Sequence, residues 1–471
     1  MNRMARFAFD IRMVFQAESE SMKTKFCTGI LSSLFVSQFL MVQILMGQDS
    51  LEQQFAGIAE KAGEKNFSGI VLAEKKGSII ASYGFGFSGP DSEKPIDSKT
   101  LFEIGSVTKP VTALAVVILE RRGKLSLDDS ISDHLPGVPE NCRGITIKHL
   151  LQHTSGIPGT NYGPHSKDIA VITQTYLQGG PQAKPGTRFE YWNQGYALLA
   201  AIIAKVTGQS YQEAMQDLVF RPAKMNASCF NGDKPPKSLE VSIGKSIRGA
   251  DRSALDHPYG DFYGLQYQGM GGMVSNAEDM VKFIKALRKS QSSLEKMLQP
   301  GPGGRYGLGW RMERLNQTHR RIFHSGSVRG FLAAVSWYPE QESSIIVLAN
   351  TDDQRGFYLA ESNCRRAFEA MILPLPEDQT FGNEFRASVV GQFTLQSRVV
   401  TISASGEGLE MVIDWGGPKT FGKLAKSSSG KRLRYLDGSD DEIFVSLGKK
   451  IGKQFQSIQI LNSNYARREQ E

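Results

Sequence analysis

Two strand-forming stretches, far apart in the chain, constrain the fold more than any other feature. Near the N-terminal end, "GIVLAEKKGSIIASYGFGF" reads as two strands joined by a Lys-Gly turn, the pattern of a β-hairpin. Far downstream, "RIFHSGSVRGFLAAVSWYPEQESSIIVLAN" supplies strands over Phe331–Tyr338 and Ser344–Asn350, bounded by turn residues. Between them the periodicity is helical. A block from Lys109 to Arg122 ends at Gly123, "IKHLLQHTSG" reads as a short helix with a glycine stop, and "YWNQGYALLAAIIAKVTG" also closes on glycine. "SNAEDMVKFIKALRK" opens with a Ser-Asn cap. Strands, a large helical middle, then strands returning to the first sheet describe an α+β fold: an antiparallel sheet flanked by helices, with a large helical subdomain.

Beyond about Pro374 the texture changes. "VVGQFTL", "VVTISASGEGLEMVID", "KRLRYLDG", "EIFVSLG" and "SIQILNS" are short alternating segments split by Gly and Ser. They predict a small antiparallel, barrel-like β domain over 381–471, reached through a linker at 374–380. At the other end, "MKTKFCTGILSSLFVSQFLMVQILMGQDS" starts at Met22 with two lysines, an apolar run from Phe26 to Met46, and small or polar residues at Gly47–Ser50. That is the order of a secretory signal peptide. Asp10, Glu18 and Glu20 do not suit a leader, so the expected start is Met22 and the expected cleavage lies near Gly47. Residues 1–47 are then an extension plus signal, the main domain covers 48–373, and the mature body is secreted or periplasmic. An uncleaved membrane anchor is the competing reading; N-terminal sequencing of the mature protein separates the two.

The chain has 471 residues, 40% hydrophobic and 22% charged, a balance that excludes wholesale disorder. Its net charge of +7 owes much to "GKLAKSSSGKRLRY" and "LGKKIGKQ". There the cations are spread along short alternating segments, which reads as a solvated basic surface; no nucleic-acid partner is expected. Once Cys27 leaves with the signal, Cys142, Cys229 and Cys364 remain, enough for one disulfide at most. No Cys-x-x-Cys pair exists to hold a structural zinc.

Chemistry concentrates in "FEIGSVTKPVTALAVV". Ser106 and Lys109 stand at i and i+3, on one face of a helix, so the amine reaches the hydroxyl. A serine hydroxyl is a poor nucleophile until a base removes its proton. A lysine in apolar surroundings can be that base, because desolvation favours its neutral form. Ser106 also lies where a helix begins, leaving its N–H for a developing oxyanion. Taken alone, the pair reads first as a serine cap with an exposed lysine. Two further stretches support chemistry: "FEYWNQGY" sets Tyr191 two residues before Asn193, and "FHSGSVRG" puts His324, Ser325 and Gly326 at the expected start of a strand.

Ser-x-x-Lys, Tyr-x-Asn and His-x-Gly, in this order and at these separations, resemble the penicillin-recognising serine hydrolases, nearest to class C β-lactamases with their esterase and D-peptidase relatives. "LLQHTSGIPG", "GMGGMVSNAEDMVKFI" and "YGLGW" are phrases typical of that family. The resemblance covers Phe67 to Asn350. It implies that Ser106 is the acylated nucleophile, Lys109 its proton acceptor, and Tyr191 the partner base that later guides water. Asn193 would hold a substrate carbonyl or orient Lys109, and the N–H groups of Ser106 and Ser327 would form the oxyanion hole. Gly326 lets a ligand approach the strand. His324 stands where β-lactamases carry a lysine that binds a substrate carboxylate; a mostly neutral imidazole is a weaker anion site. The family's esterases and some D-amino-acid peptidases carry histidine there. Trp192 stands where a smaller residue is usual, with either a narrowed cleft or outward packing as the outcome.

The resemblance implies an acyl-enzyme hydrolase of small esters or amides without metal or cofactor, esterase-like first. Its competitors are a D-Ala-type peptidase or weak β-lactamase, and a sensor that is acylated once and turns nothing over. "GFGFSG" matches a dinucleotide loop in spacing, but Pro90-Asp91 follows where a helix should open. His149 and His153 are four apart like a metal pair, yet no glutamate follows His149. Ser155, beside His153, reads as a packed loop serine.

Overall fold

Lys76 and Gly77 take φ of +51° and +88°, the left-handed pair that matches the twist of two antiparallel strands. They join β1 (Gly69–Lys75) to β2 (Ser78–Phe85), forming the expected hairpin. The computed structural model describes residues 50–467 apart from 160–165, 167, 236–237, 260–266, 316–317, 374–380 and short stretches between 396 and 462. The expected leader (1–47) and linker (374–380) lie outside the described residues.

Four further strands complete the sheet: β3 (Arg311–Arg314), β4 (Arg320–Val328), β5 (Phe331–Tyr338) and β6 (Ser343–Ala349). The order is β2-β1-β6-β5-β4-β3, with every neighbouring pair antiparallel. The C-terminal strands thus return to the hairpin, with Val71 paired to Val347. Both faces are covered, which is why β1, β5 and β6 read as nearly continuous apolar runs. Ile70, Leu72, Ala333, Val335, Ile346 and Leu348 belong to the larger core. Val71, Ala73, Leu332, Ile345 and Val347 point the other way, onto α1 (Leu51–Gly63) and α5 (Gln354–Ile372).

The helical middle fills the larger core. In α2 (Thr108–Arg121) eleven residues are buried, and α3 (Asn193–Thr207) is equally enclosed before Gly208 ends it at φ +68°. Helices apolar on all sides belong in an interior. α4 (Ala277–Lys289) is amphipathic, capped by the Asn276 side chain accepting the Asp279 N–H at 2.9 Å. One boundary differs from expectation. β4 begins at Arg320, not at His324, because β3 pairs with its polar first half.

The C-terminal segment opens with α6 (Asn383–Val389) and continues as eight strands: β7 (Gly391–Leu395), β8 (Arg398–Ser405), β9 (Gly408–Asp414), β10 (Thr420–Lys426), β11 (Leu433–Leu436), β12 (Ile443–Leu447), β13 (Ser457–Ile460) and β14 (Ser463–Arg467). They form a closed antiparallel barrel in which Phe393 of β7 pairs with Arg467 of β14. Phe393, Val400, Ile402, Met411, Leu424 and Val445 are among the residues of its separate hydrophobic centre. β10 runs alongside α5. No helix among the described residues is long and apolar enough to cross a membrane.

Candidate active site

The site begins with a chain reversal between a short strand and α2. Phe102–Glu103 pairs with residues of Met273–Ser275, and the Ile104 N–H donates to Met273 O at 3.0 Å. Gly105 then takes φ +51°, an angle that suits glycine, and a 3₁₀ turn over Gly105–Val107 leads into α2. Thr108 fastens the turn, its hydroxyl donating to Gly105 O at 2.7 Å and accepting the Met273 N–H at 3.2 Å. Ser106 is thereby carried to the edge of β4. β3 pairs with β4 only as far as Phe323, so this turn faces the strand beyond that point. The approach is close. A Cβ on Gly326 would lie 2.0 Å from Ile104 O and 3.1 Å from Ser106 N; one on Gly105 would lie 3.0 Å from Ser327 N.

Lys109 Nζ is 3.0 Å from Ser106 Oγ, and it donates to the Met270 carbonyl at 2.6 Å. The side chain is completely buried. Burial therefore holds its pKa well below the usual 10.5. The neutral amine has a lone pair to offer the serine proton while its own hydrogens keep it pointed. This is the arrangement a general base requires.

Tyr191 lies on the other side of the amine, its ring centre 5.1 Å from Nζ. Burial pushes its phenol up to about 12, with a hydrogen bond to Ser106 and the Arg311 guanidinium pulling the other way. At neutral pH it is a phenol, not a phenolate, so the first proton goes to Lys109. Asn193 is the first residue of α3. A pocket of about 70 Å³ opens here, with Ser106, Asn193, Ser327, Tyr259 and Tyr267 among its walls.

His324 sits elsewhere. It is buried, outside that lining, with Nδ1–H donating to Ser325 O at 2.8 Å and Nε2 accepting from the Tyr306 hydroxyl at 3.1 Å. Burial, with Lys109 nearby, pushes it down to about 3. The imidazole is neutral and stands behind Tyr191, ring centres 6.3 Å apart. The structure thus puts Ser106, Asn193 and Ser327 on the pocket wall. Lys109 and Tyr191 lie outside that lining, like His324, and reach the site through the Lys109–Ser106 hydrogen bond and the Tyr191 ring beside the amine. Gly326 serves through the side chain it lacks, and His324 lies one layer back. Trp192 is buried, its ring beneath Gly195 in the α3 core. Neither outcome expected from the sequence holds: the ring does not line the pocket and does not face outward, but packs into the core.

Sequence reasoning missed several neighbours. Met270 acts through a backbone carbonyl, which leaves no side-chain signal. Tyr306 and Arg311 flank "GLGW", and the Arg311 guanidinium stands 5.8 Å and 5.9 Å from the ring centres of Tyr191 and Tyr306. The set-aside residues are occupied structurally. His149 Nδ1 accepts the Thr146 N–H at 3.1 Å in a helix cap, and Ser155 Oγ accepts the Ile157 N–H at 3.3 Å.

Penicillin-binding protein 4* of Bacillus subtilis (strain 168) is 30% identical over 347 residues, 68% of this chain and 75% of that protein. Protein flp of Staphylococcus aureus (strain MW2) is 30% identical over 307 residues, and the match spans 59% of its length. Among solved structures, a penicillin-binding protein from Bacillus halodurans is 26% identical, with a TM-score of 0.56 over 67% of this chain and 99% of that one. The family model described as "Beta-lactamase" matches residues 49–362, and with the fold and the serine–lysine geometry in place the chain belongs to the beta-lactamase family of serine hydrolases.

Proposed function

We propose that this protein hydrolyses small esters or amides through an acyl-enzyme on Ser106, with esters the favoured class. The observation that carries the reading is the buried, charge-depressed Lys109 amine 3.0 Å from Ser106 Oγ. Lys109 takes the serine proton as Oγ bonds to the substrate carbonyl carbon. The oxyanion rests against the N–H groups of Ser106 and Ser327. Collapse expels the alcohol or amine, protonated by way of Lys109 and Tyr191. Water, guided by Tyr191, then attacks the acyl carbon. Its proton passes by way of Tyr191 and Lys109 to Ser106 Oγ as the C–Oγ bond breaks, and the free acid leaves. Asn193 steadies a substrate carbonyl or the amine. A neutral His324 behind the wall offers no fixed cation, which favours an uncharged acyl partner. The leader-like segment after Met22 supports a site of action outside the cytoplasm.

A second reading, a D-Ala-type peptidase or weak β-lactamase, is favoured by Arg311. Its guanidinium stands beside Tyr191 without a carboxylate partner among the described residues, where it could take a substrate's carboxylate. The names of the penicillin-binding relatives point the same way. Offering the purified protein p-nitrophenyl butyrate, nitrocefin and a D-Ala-D-Ala peptide decides between them. Sustained nitrophenol release with the other two inert is expected. Turnover of the peptide or nitrocefin alone replaces the esterase reading with the second one. A stoichiometric burst that stops overturns both.

A further inference from the structure

His153 is not used by the reaction as drawn, yet it is built into the wall behind it. It follows the short helix Ile147–Leu151 and adopts φ +55°, a left-handed conformation rare for a side-chain-bearing residue. Its carbonyl accepts the Glu190 N–H at 2.8 Å, and its Nδ1 accepts the Trp192 N–H at 3.1 Å. One residue therefore grips both neighbours of Tyr191. Its ring also lies against Tyr191, centres 4.2 Å apart and planes 35° apart, with Tyr306 and Tyr196 at 5.0 Å and 5.2 Å.

Because Nδ1 accepts, the proton of the neutral ring sits on Nε2. That atom is buried and has no hydrogen-bond partner among the described residues. An unpaired buried donor carries a cost, as does the left-handed backbone. An apolar side chain would avoid the first of these and lose only the grip on Trp192.

We propose that His153 is a positioning residue that sets the backbone and ring of Tyr191 against Ser106 and Lys109. This rests on the acyl-enzyme reading above for its kinetic readout. The requirement is an acceptor at the Nδ1 position on a left-handed backbone, and asparagine meets both conditions. Its Oδ1 replaces Nδ1, and Asn tolerates positive φ. Glutamine meets neither.

The test is a set of variants read in two ways: p-nitrophenyl butyrate kinetics, and the rate at which a fluorophosphonate labels Ser106. His153→Asn should stay within about threefold of wild type in kcat. His153→Gln should lose about tenfold or more in kcat with KM little changed, the pattern of a misplaced group rather than a lost binding contact. In a Tyr191→Phe background the same His153→Gln change should cost less than about twofold, because its effect passes through the missing hydroxyl. Equal damage from Asn and Gln, or a full loss in the Tyr191→Phe background, overturns the proposal. Rapid hydrogen exchange of the Trp192 amide in the folded wild type would do so without any variant. An inert ester with normal Ser106 labelling sinks the hydrolase reading alone, and His153 is then judged on labelling rates.

Discussion

Lys109 is the residue whose placement costs the fold most and the chemistry least can spare. Its amine is neutral in the folded protein at a pH where the unfolded chain, with a lysine near 10.5, remains protonated. The unfolded state therefore binds more protons between those two values, and stability should rise with pH across that window. Lys109→Met should flatten this slope and raise stability at pH 7 by about 1–2 kcal/mol, net of the lost hydrogen bond to Met270. It should also abolish turnover. Thermal melts across pH, beside the ester assay, check both; a less stable variant would mean that burial of the amine is not a burden. Activity should rise with pH as Lys109 loses its proton, and His324, pushed down to about 3, should add no step between pH 5 and 9.

At the scale of elements, the site depends on how closely one turn approaches one strand edge. Gly326→Ala would place a methyl 2.0 Å from the Ile104 carbonyl, in backbone that cannot swing aside. The expected cost is about 1–3 kcal/mol of stability. Pushing Ser106 away from Ser327 should also cut kcat/KM about 100-fold, on the scale of losing an oxyanion donor. Denaturant titration and ester kinetics measure the two losses, and full activity in the variant would remove the β4 edge from the mechanism. Trp192→Ala should behave differently. The ring is core, so about 3–5 kcal/mol of stability should go, with the ranking of ester substrates unchanged. A changed ranking would put the ring back in the cleft.

Across the whole molecule, Arg252 ties together segments remote in sequence. Its guanidinium contacts the Glu103 carboxylate three residues before Ser106 and donates to Arg329 O at 2.9 Å and Asp256 O at 2.8 Å. It lies 5.0 Å from the Phe331 ring centre. Tyr267, on the pocket wall, donates to the same carboxylate at 2.7 Å. Arg252→Ala leaves a buried carboxylate uncompensated and should cost about 3–5 kcal/mol. Glu103→Gln in that background should recover part of the loss, and a chemical melt that fails to show recovery would argue against the pair.

Much of this was legible in the chain itself, because its signals are local. Hairpin turn, glycine stops and capping Asn276 act within a few residues, and Ser106 with Lys109, or Tyr191 with Asn193, are close enough to read as motifs. The nearly continuous apolar runs of β1 and β6 suit a sheet covered on both sides. Other features depended on tertiary approach. The Met270 carbonyl reaches Lys109 from 161 residues away, β3 moves the start of β4 back to Arg320, and burial behind Tyr306 takes His324 off the wall. Sequence determines which groups can carry a proton or make a turn. Only the packed structure decides which of them lose water, and with it the charge they carry.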